Sequence, residues 1–144
     1  MPATRPLYAE NTKVSVDSSK GEIMSLLRKH GVKQQAWAMA DGEEDVLQFW
    51  LDGKAYRLKV ASPTREEIFV LYPNHYDTPA KIEAEHRRRW RATLLMLKAK
   101  LEFADGVLST TGDELLPYLV LDDNRTVREA LAQGGLPLLT AGKR

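Results

Sequence analysis

The chain has 144 residues, 43% of them hydrophobic and 28% charged, with no cysteine and 21 Lys+Arg against 20 Asp+Glu. That length suits one domain with its own core, and the composition excludes a disulfide-built scaffold, a cysteine-ligated metal, thiol chemistry and a chain too polar to fold. Nothing approaches a run of about 18 apolar residues, and the opening Met1-Pro2-Ala3-Thr4-Arg5-Pro6 lacks an apolar signal core, so no membrane contact and a cytosolic location are expected.

Residues 1–11 carry two prolines and no periodic pattern and read as a loose arm ahead of a single domain spanning 12–140. Thr12 to Val16 alternates, with Val14 and Val16 on one side, which predicts a short strand. Ser19-Lys20-Gly21-Glu22 has the spacing of a capping box. Ile23, Leu26, Leu27 and His30 follow at helical intervals before Gly31 stops the helix.

Asp52-Gly53 is a pair preferred in two-residue hairpin turns, where both central residues take positive φ. Setting Leu51 opposite Lys54 places Phe49 on Tyr56 and Leu47 on Leu58, with Trp50–Ala55, Gln48–Arg57 and Val46–Lys59 on the other side. The apolar pairs share one face, and a slip of one residue would scatter them. Gln35 to Ala40 predicts a further strand, joined through Asp41–Asp45, that adds Trp37 and Met39 to the apolar face. The opening unit therefore reads β-α-β-β-β.

Ile68 to Tyr72 fits a strand or a buried connector, and Pro73-Asn74-His75-Tyr76-Asp77 reads as a loop. Thr78-Pro79 then supplies an N-cap and a proline at the first helical position. No breaker follows until Gly106, predicting a long helix to about Leu108. Trp90, Leu94, Leu97, Leu101, Ala104 and Leu108 form one apolar stripe, and Ala92, Met96, Ala99 and Phe103 form a second. A helix apolar on two sides packs on its sheet with one. The other faces a second copy or the C-terminal segment, so a homo-oligomer through this helix is expected. Capping boxes at Thr111–Glu114 and Thr126–Glu129 open two short helices, the first running through Leu119 and the second ending at Gly134-Gly135. The tail Leu136-Pro137-Leu138-Leu139 is apolar enough to dock. The fold class is α+β: an antiparallel sheet in β-α-β-β-β order, one long helix and short C-terminal helices.

The near-neutral total hides an uneven distribution. Residues 81–100 hold seven Lys/Arg and two acids, a local charge of +5. At about 100° per residue Arg87, Arg91 and Lys98 fall in one stripe, with Arg88 beside it and Arg89 turned toward the apolar side. Such a stripe can neutralise phosphates or clamp a nucleotide; it is equally what a solvated helix face looks like. Trp50, with Ala36 and Ala55 beside it and Arg57 and Lys59 near, could extend the surface as a base-stacking platform. Asn74-His75-Tyr76-Asp77 places proton-handling groups side by side, but neighbours in a loop seldom converge on one atom. His30, His75 and His86 lack ligand spacing, and there is no phosphate-cradling glycine loop or nucleophile motif. No catalytic residue, metal or cofactor is expected, and the chain reads as a non-enzyme.

Four stretches, VDSSKGEIMSLLRKHG (16–31), VLQFWLDGKAYRLKV (46–60), RRWRA to KAKLE (88–102) and ELL to DNRTV (114–127), together resemble a family of small uncharacterised proteins from tailed phages and prophages. The resemblance covers roughly residues 12–130. The family pattern has a glycine where Asn124 stands and a longer polar insert before the long helix. It implies a phage context in the host cytosol, often among early genes of DNA metabolism, and carries no residue of known chemical role. The expected function is a phage accessory protein that binds nucleic acid through Arg87, Arg88, Arg91 and Lys98, with Trp50, Arg57 and Lys59 as a possible extension of the surface. The alternative is a counter-defence protein that sequesters a host signalling nucleotide or blocks a host defence complex.

Overall fold

The computed structural model describes residues 6–39 and 43–139. The first five residues of the expected arm, the end of the expected strand at Ala40, and Asp41-Gly42 lie outside them.

Helix α1 spans Val16–Lys29. Its N-cap is Ser15, whose hydroxyl accepts the Ser18 N–H at 3.1 Å, and Ser19 lies inside the helix, fully buried. The expected strand over Thr12–Val16 is therefore absent. A two-valine alternation is too short to hold a strand when a serine between the valines can start a helix. At the other end Gly31 takes φ +93°. The N–H groups of Gly31 and Val32 return to the carbonyls of Arg28 and Leu27, a complete left-handed C-terminal cap.

Strands β1 (Gln34–Ala38), β2 (Glu44–Leu51) and β3 (Lys54–Ala61) form one antiparallel sheet in the order β1-β2-β3. The hairpin has the expected register throughout, with Leu51 opposite Lys54, Phe49 opposite Tyr56 and Leu47 opposite Leu58. Asp52 and Gly53 adopt φ +52° and +75°, as the two-residue turn demands. Strand β1 is one residue earlier than expected and ends before Met39, which is 65% exposed rather than in the core. Its register puts Gln34, not Ala36, opposite Trp50.

Residues 65–71 (Arg65–Leu71) form helix α2, not a strand, started by a complete capping box between Thr64 and Glu67. Helix α3 spans Thr78–Phe103, with Asp77 as N-cap and Ala104 as C-cap. It ends five residues before Leu108 because the chain turns at Asp105 and Gly106. Twenty-six residues make it about 39 Å long. Helix α4 (Thr111–Glu114) has Thr110, not Thr111, as its cap. A single 3-10 turn, Leu116–Tyr118, replaces the expected continuation to Leu119. Helix α5 (Val127–Gln133) has the expected capping box and stops at left-handed Gly134.

Helices α1 and α3 cover one face of the sheet. Ile23 and Leu27 of α1, Leu47, Phe49, Tyr56 and Leu58 of the hairpin, and Trp90, Leu94, Leu97 and Leu101 of α3 make one core. Trp37 packs its ring 5.7 Å from that of Trp90, and Phe49 stacks on Tyr56 at 5.5 Å. On its second side α3 meets the C-terminal segment: Leu115 is fully buried and the Tyr118 hydroxyl lies 3.8 Å from the Met96 sulfur. Val120 donates to the Ala55 carbonyl, so the segment also closes the β3 edge. The tail does not dock, since Leu138 and Leu139 are largely exposed. Among the described residues no helix is long and apolar enough to cross a membrane.

Leu97 sits fully buried in this core. Leu97→Ala is expected to lower unfolding free energy by about 2–5 kcal/mol in urea titration, from lost transfer energy and the cavity left behind.

Candidate functional site

The basic run on α3 divides into two groups with different fates. Glu85 has no exposed side-chain surface, and it organises the first group. Its carboxylate accepts from Arg88 through both oxygens at 2.6 and 2.8 Å, from Arg89 Nε at 2.8 Å and from the Tyr72 hydroxyl at 2.6 Å. Arg89 also donates to the Ala61 carbonyl at 2.8 Å and to Glu67 at 2.7 Å, while Arg88 reaches the Tyr8 carbonyl at 3.3 Å. Burial pushes the Glu85 carboxyl up, but its donors Arg88, Tyr72 and Arg89 outweigh that and hold it at about 2. Burial, followed by the bond to Glu85, pushes the Tyr72 phenol up. Both guanidinium groups are thus committed to the fold.

The other arginines of the run differ. Arg87 lines a shallow cavity of about 220 Å³ with Ser15, Val16, Glu83 and His86, and its Nε is buried without a hydrogen-bond partner among the described residues. Arg91 donates to Glu22 of α1 at 2.7 Å across a larger groove, remaining 25% exposed. This groove, about 540 Å³, lies between α1 and α3. Lys29 and Lys98 stand on it with Arg91, Leu26, Leu94 and Leu95 give it apolar walls, and Ser18, Gly21 and Ser25 leave the α1 side low. Lys29 and Lys98 are exposed and make no ion pair among the described residues. Three cations against Glu22 give the groove a net charge of +2.

On the expected sheet platform Arg57 and Lys59 line a small cavity of about 250 Å³ with Tyr118, Arg128 and Glu129, apart from Trp50. Arg57 donates to Gln48 at 2.9 Å and to the Asn124 carbonyl and side-chain oxygen at 2.8 and 2.7 Å. Asn124 takes φ +70°, a conformation in which glycine is the default residue. Lys59 pairs with Glu129 at 3.0 Å. These side chains hold the C-terminal segment against β3, and Trp50 is left half-buried without a free cation opposite it. In the Asn74–Asp77 loop both His75 nitrogens are occupied locally, by the Tyr72 carbonyl and the Thr78 hydroxyl at 2.7 Å each.

Two features escaped the reading of the residues. Lys29 came from outside the basic run, and only the packing of α1 on α3 brings it to the groove. A buried polar cluster joins Lys20 to Asp45 at 2.9 Å, with His86 Nε2 3.8 Å from the same carboxylate and the Lys20 ammonium 5.0 Å over the Trp90 ring. Burial lowers the His86 pKa against the opposing pull of Asp45. Glu85 also escaped it, although a signal was there: it stands three and four residues before Arg88 and Arg89, the spacing of helical ion pairs.

No protein-family model matches the chain, and neither the curated proteins nor the solved structures contain a match.

Glu85 also sets an acid limit. Its folded pKa lies below the ordinary 4.5, so the stability it contributes is present above about pH 4.5 and lost as pH falls toward about 2. Glu85→Gln is expected to cost about 3 kcal/mol near neutral pH. The gap between variant and parent should close as urea titrations are carried down in pH.

Proposed function

We propose that the protein is a non-enzymatic binding module that takes the phosphate backbone of a nucleic acid in the groove between α1 and α3. The observation that carries this reading is the division of the cations. Arg88, Arg89, Arg57 and Lys59 are held by partners that tie separate elements together, whereas Lys29 and Lys98 make no ion pair among the described residues and share one open groove with Arg91, whose partner there is Glu22. Arg91 and Lys98, two turns apart on α3, stand about 10 Å from each other along its axis, and Lys29 faces them from α1. Cations at such spacing displace counterions from a phosphate chain without reading its bases, with Arg91 exchanging Glu22 for a phosphate. Arg87 extends the same side toward the start of α1. The setting proposed with it, from the resemblance to phage and prophage proteins, is the bacterial cytosol, as an accessory to phage DNA metabolism.

One observation favours the alternative, a counter-defence protein that blocks a host complex. The groove has apolar walls at Leu26, Leu94 and Leu95, which a phosphate chain does not use and an acidic amphipathic protein segment would.

The test is titration of a labelled mixed-sequence single strand at several salt concentrations. Three phosphate contacts predict a slope of about −2 for log affinity against log salt. Arg91→Glu with Lys98→Glu abolishes binding, and Glu22→Gln, which removes the acid from the groove, tightens it. No binding at low salt, or binding indifferent to these substitutions, overturns the reading.

A further inference from the structure

The turn after α3 presents a second surface that no other element covers among the described residues. Residues 101–116 contain four acids and no Lys or Arg. Within them Asp105 Oδ1 accepts the N–H groups of both Val107 and Leu108 at 2.8 Å. Gly106 donates to the Ser109 carbonyl, and the Ser109 hydroxyl donates to Glu114. The loop is therefore fixed by its own hydrogen bonds, yet it holds two aliphatic side chains outward: Val107 is 88% and Leu108 69% exposed. Phe103, four residues before Val107, and Leu116, eight after Leu108, are about half exposed, and Glu102, Asp105 and Asp113 of the same segment are exposed. A preordered loop that spends its hydrogen bonds on displaying apolar side chains loses little entropy on docking.

The groove between α1 and α3 is the chemical complement of this knob. Its walls are Leu26, Leu94 and Leu95, and its cations are Lys29, Arg91 and Lys98. An apolar tip among acids thus exists on the same chain as an apolar groove among bases. The exposure of Leu108 shows that the knob does not fill the groove of its own chain. We infer that the knob around Val107 and Leu108 docks into the α1–α3 groove of a second copy. The two surfaces differ, so each contact pairs a knob with a groove: two copies exchange knobs about a two-fold axis, or the contact runs head to tail into a ring or a chain. A contact built on two aliphatic side chains and a ring of ion pairs is small, so the association is weak, salt-sensitive and concentration-dependent.

This has a regulatory consequence that rests on the reading of the groove as the nucleic-acid site. Knob and phosphate chain need the same three cations, so self-association and nucleic-acid binding exclude one another. A concentrated protein would be self-capped, and nucleic acid would disperse it.

Sedimentation velocity of the full chain, without nucleic acid, tests the contact by itself. The parent protein is expected to associate from low micromolar to submillimolar concentration. Leu108→Asp, Val107→Asp and the groove variant Arg91→Glu/Lys98→Glu should each weaken association by roughly tenfold or more. Circular dichroism should leave all three folded, since these side chains lie outside the core. Mixing Leu108→Asp, with its intact groove, and the groove variant, with its intact knob, should restore one contact and stop at a heterodimer. A parent that stays monomeric, a Leu108→Asp protein that associates like the parent, or a mixture that stays monomeric overturns the proposal. Oligonucleotide binding by Leu108→Asp is read separately. Its absence would sink the nucleic-acid reading while leaving the self-contact standing.

Discussion

The carboxylate of Glu85 is the interaction on which the arrangement around α3 depends. A charge with no exposed side-chain surface is expensive unless every lone pair is used, and here two arginines and a phenol use them. Each donor carries a different part of the chain. Tyr72 brings the end of α2, Arg89 brings the Ala61 carbonyl and Glu67, and Arg88 brings the backbone at Tyr8. One acid on α3 thereby ties down the N-terminal segment, the end of β3 and the whole of α2. Apart from this knot α2 offers a single fully buried residue, Ile68.

The same knot decides what the basic run can do. Taken as formal charge, residues 81–100 are a +5 patch. In the folded chain Arg88 and Arg89 already have partners stronger than a surface phosphate would be, because their carboxylate is out of water. Arg57 and Lys59 are spent in the same way on Asn124 and Glu129, where they fasten the C-terminal segment to β3. What remains is narrower: Lys29 and Lys98 from two helices face one groove, with Arg91 there paired to Glu22. The acidic, apolar knob beyond α3 has the opposite character, and that complementarity is the ground of the proposed self-contact.

Where the information is local, the residues alone were enough. Asp52-Gly53 and the alternation on either side determine the hairpin register, because any slip exposes Phe49, Tyr56, Leu47 and Leu58 together. The α3 stripe from Trp90 to Leu101 and the Thr126–Glu129 cap were legible for similar reasons. Local ambiguity misled at two places. Val14 and Val16 alternate around a serine that caps a helix instead. Ile68 to Tyr72 looks like a strand although Thr64 and Glu67 form a capping box just ahead of it. The site was legible only in part, since neither helix alone shows that Lys29 will meet Arg91 and Lys98. Equally, no spacing shows that Tyr72 will reach Glu85, 13 positions on, or that Glu67 will meet Arg89, 22 positions on.

The central claim is that neighbouring arginines and lysines on one helix divide into fold-holding and ligand-facing groups. Measuring melting temperature and oligonucleotide affinity together on Arg88→Ala and Lys98→Ala tests it most directly. The account predicts that Arg88→Ala melts lower while its folded fraction binds as the parent does, and that Lys98→Ala melts as the parent does while binding more weakly. Weaker binding by folded Arg88→Ala with unchanged melting, or a destabilised Lys98→Ala that binds normally, would contradict it.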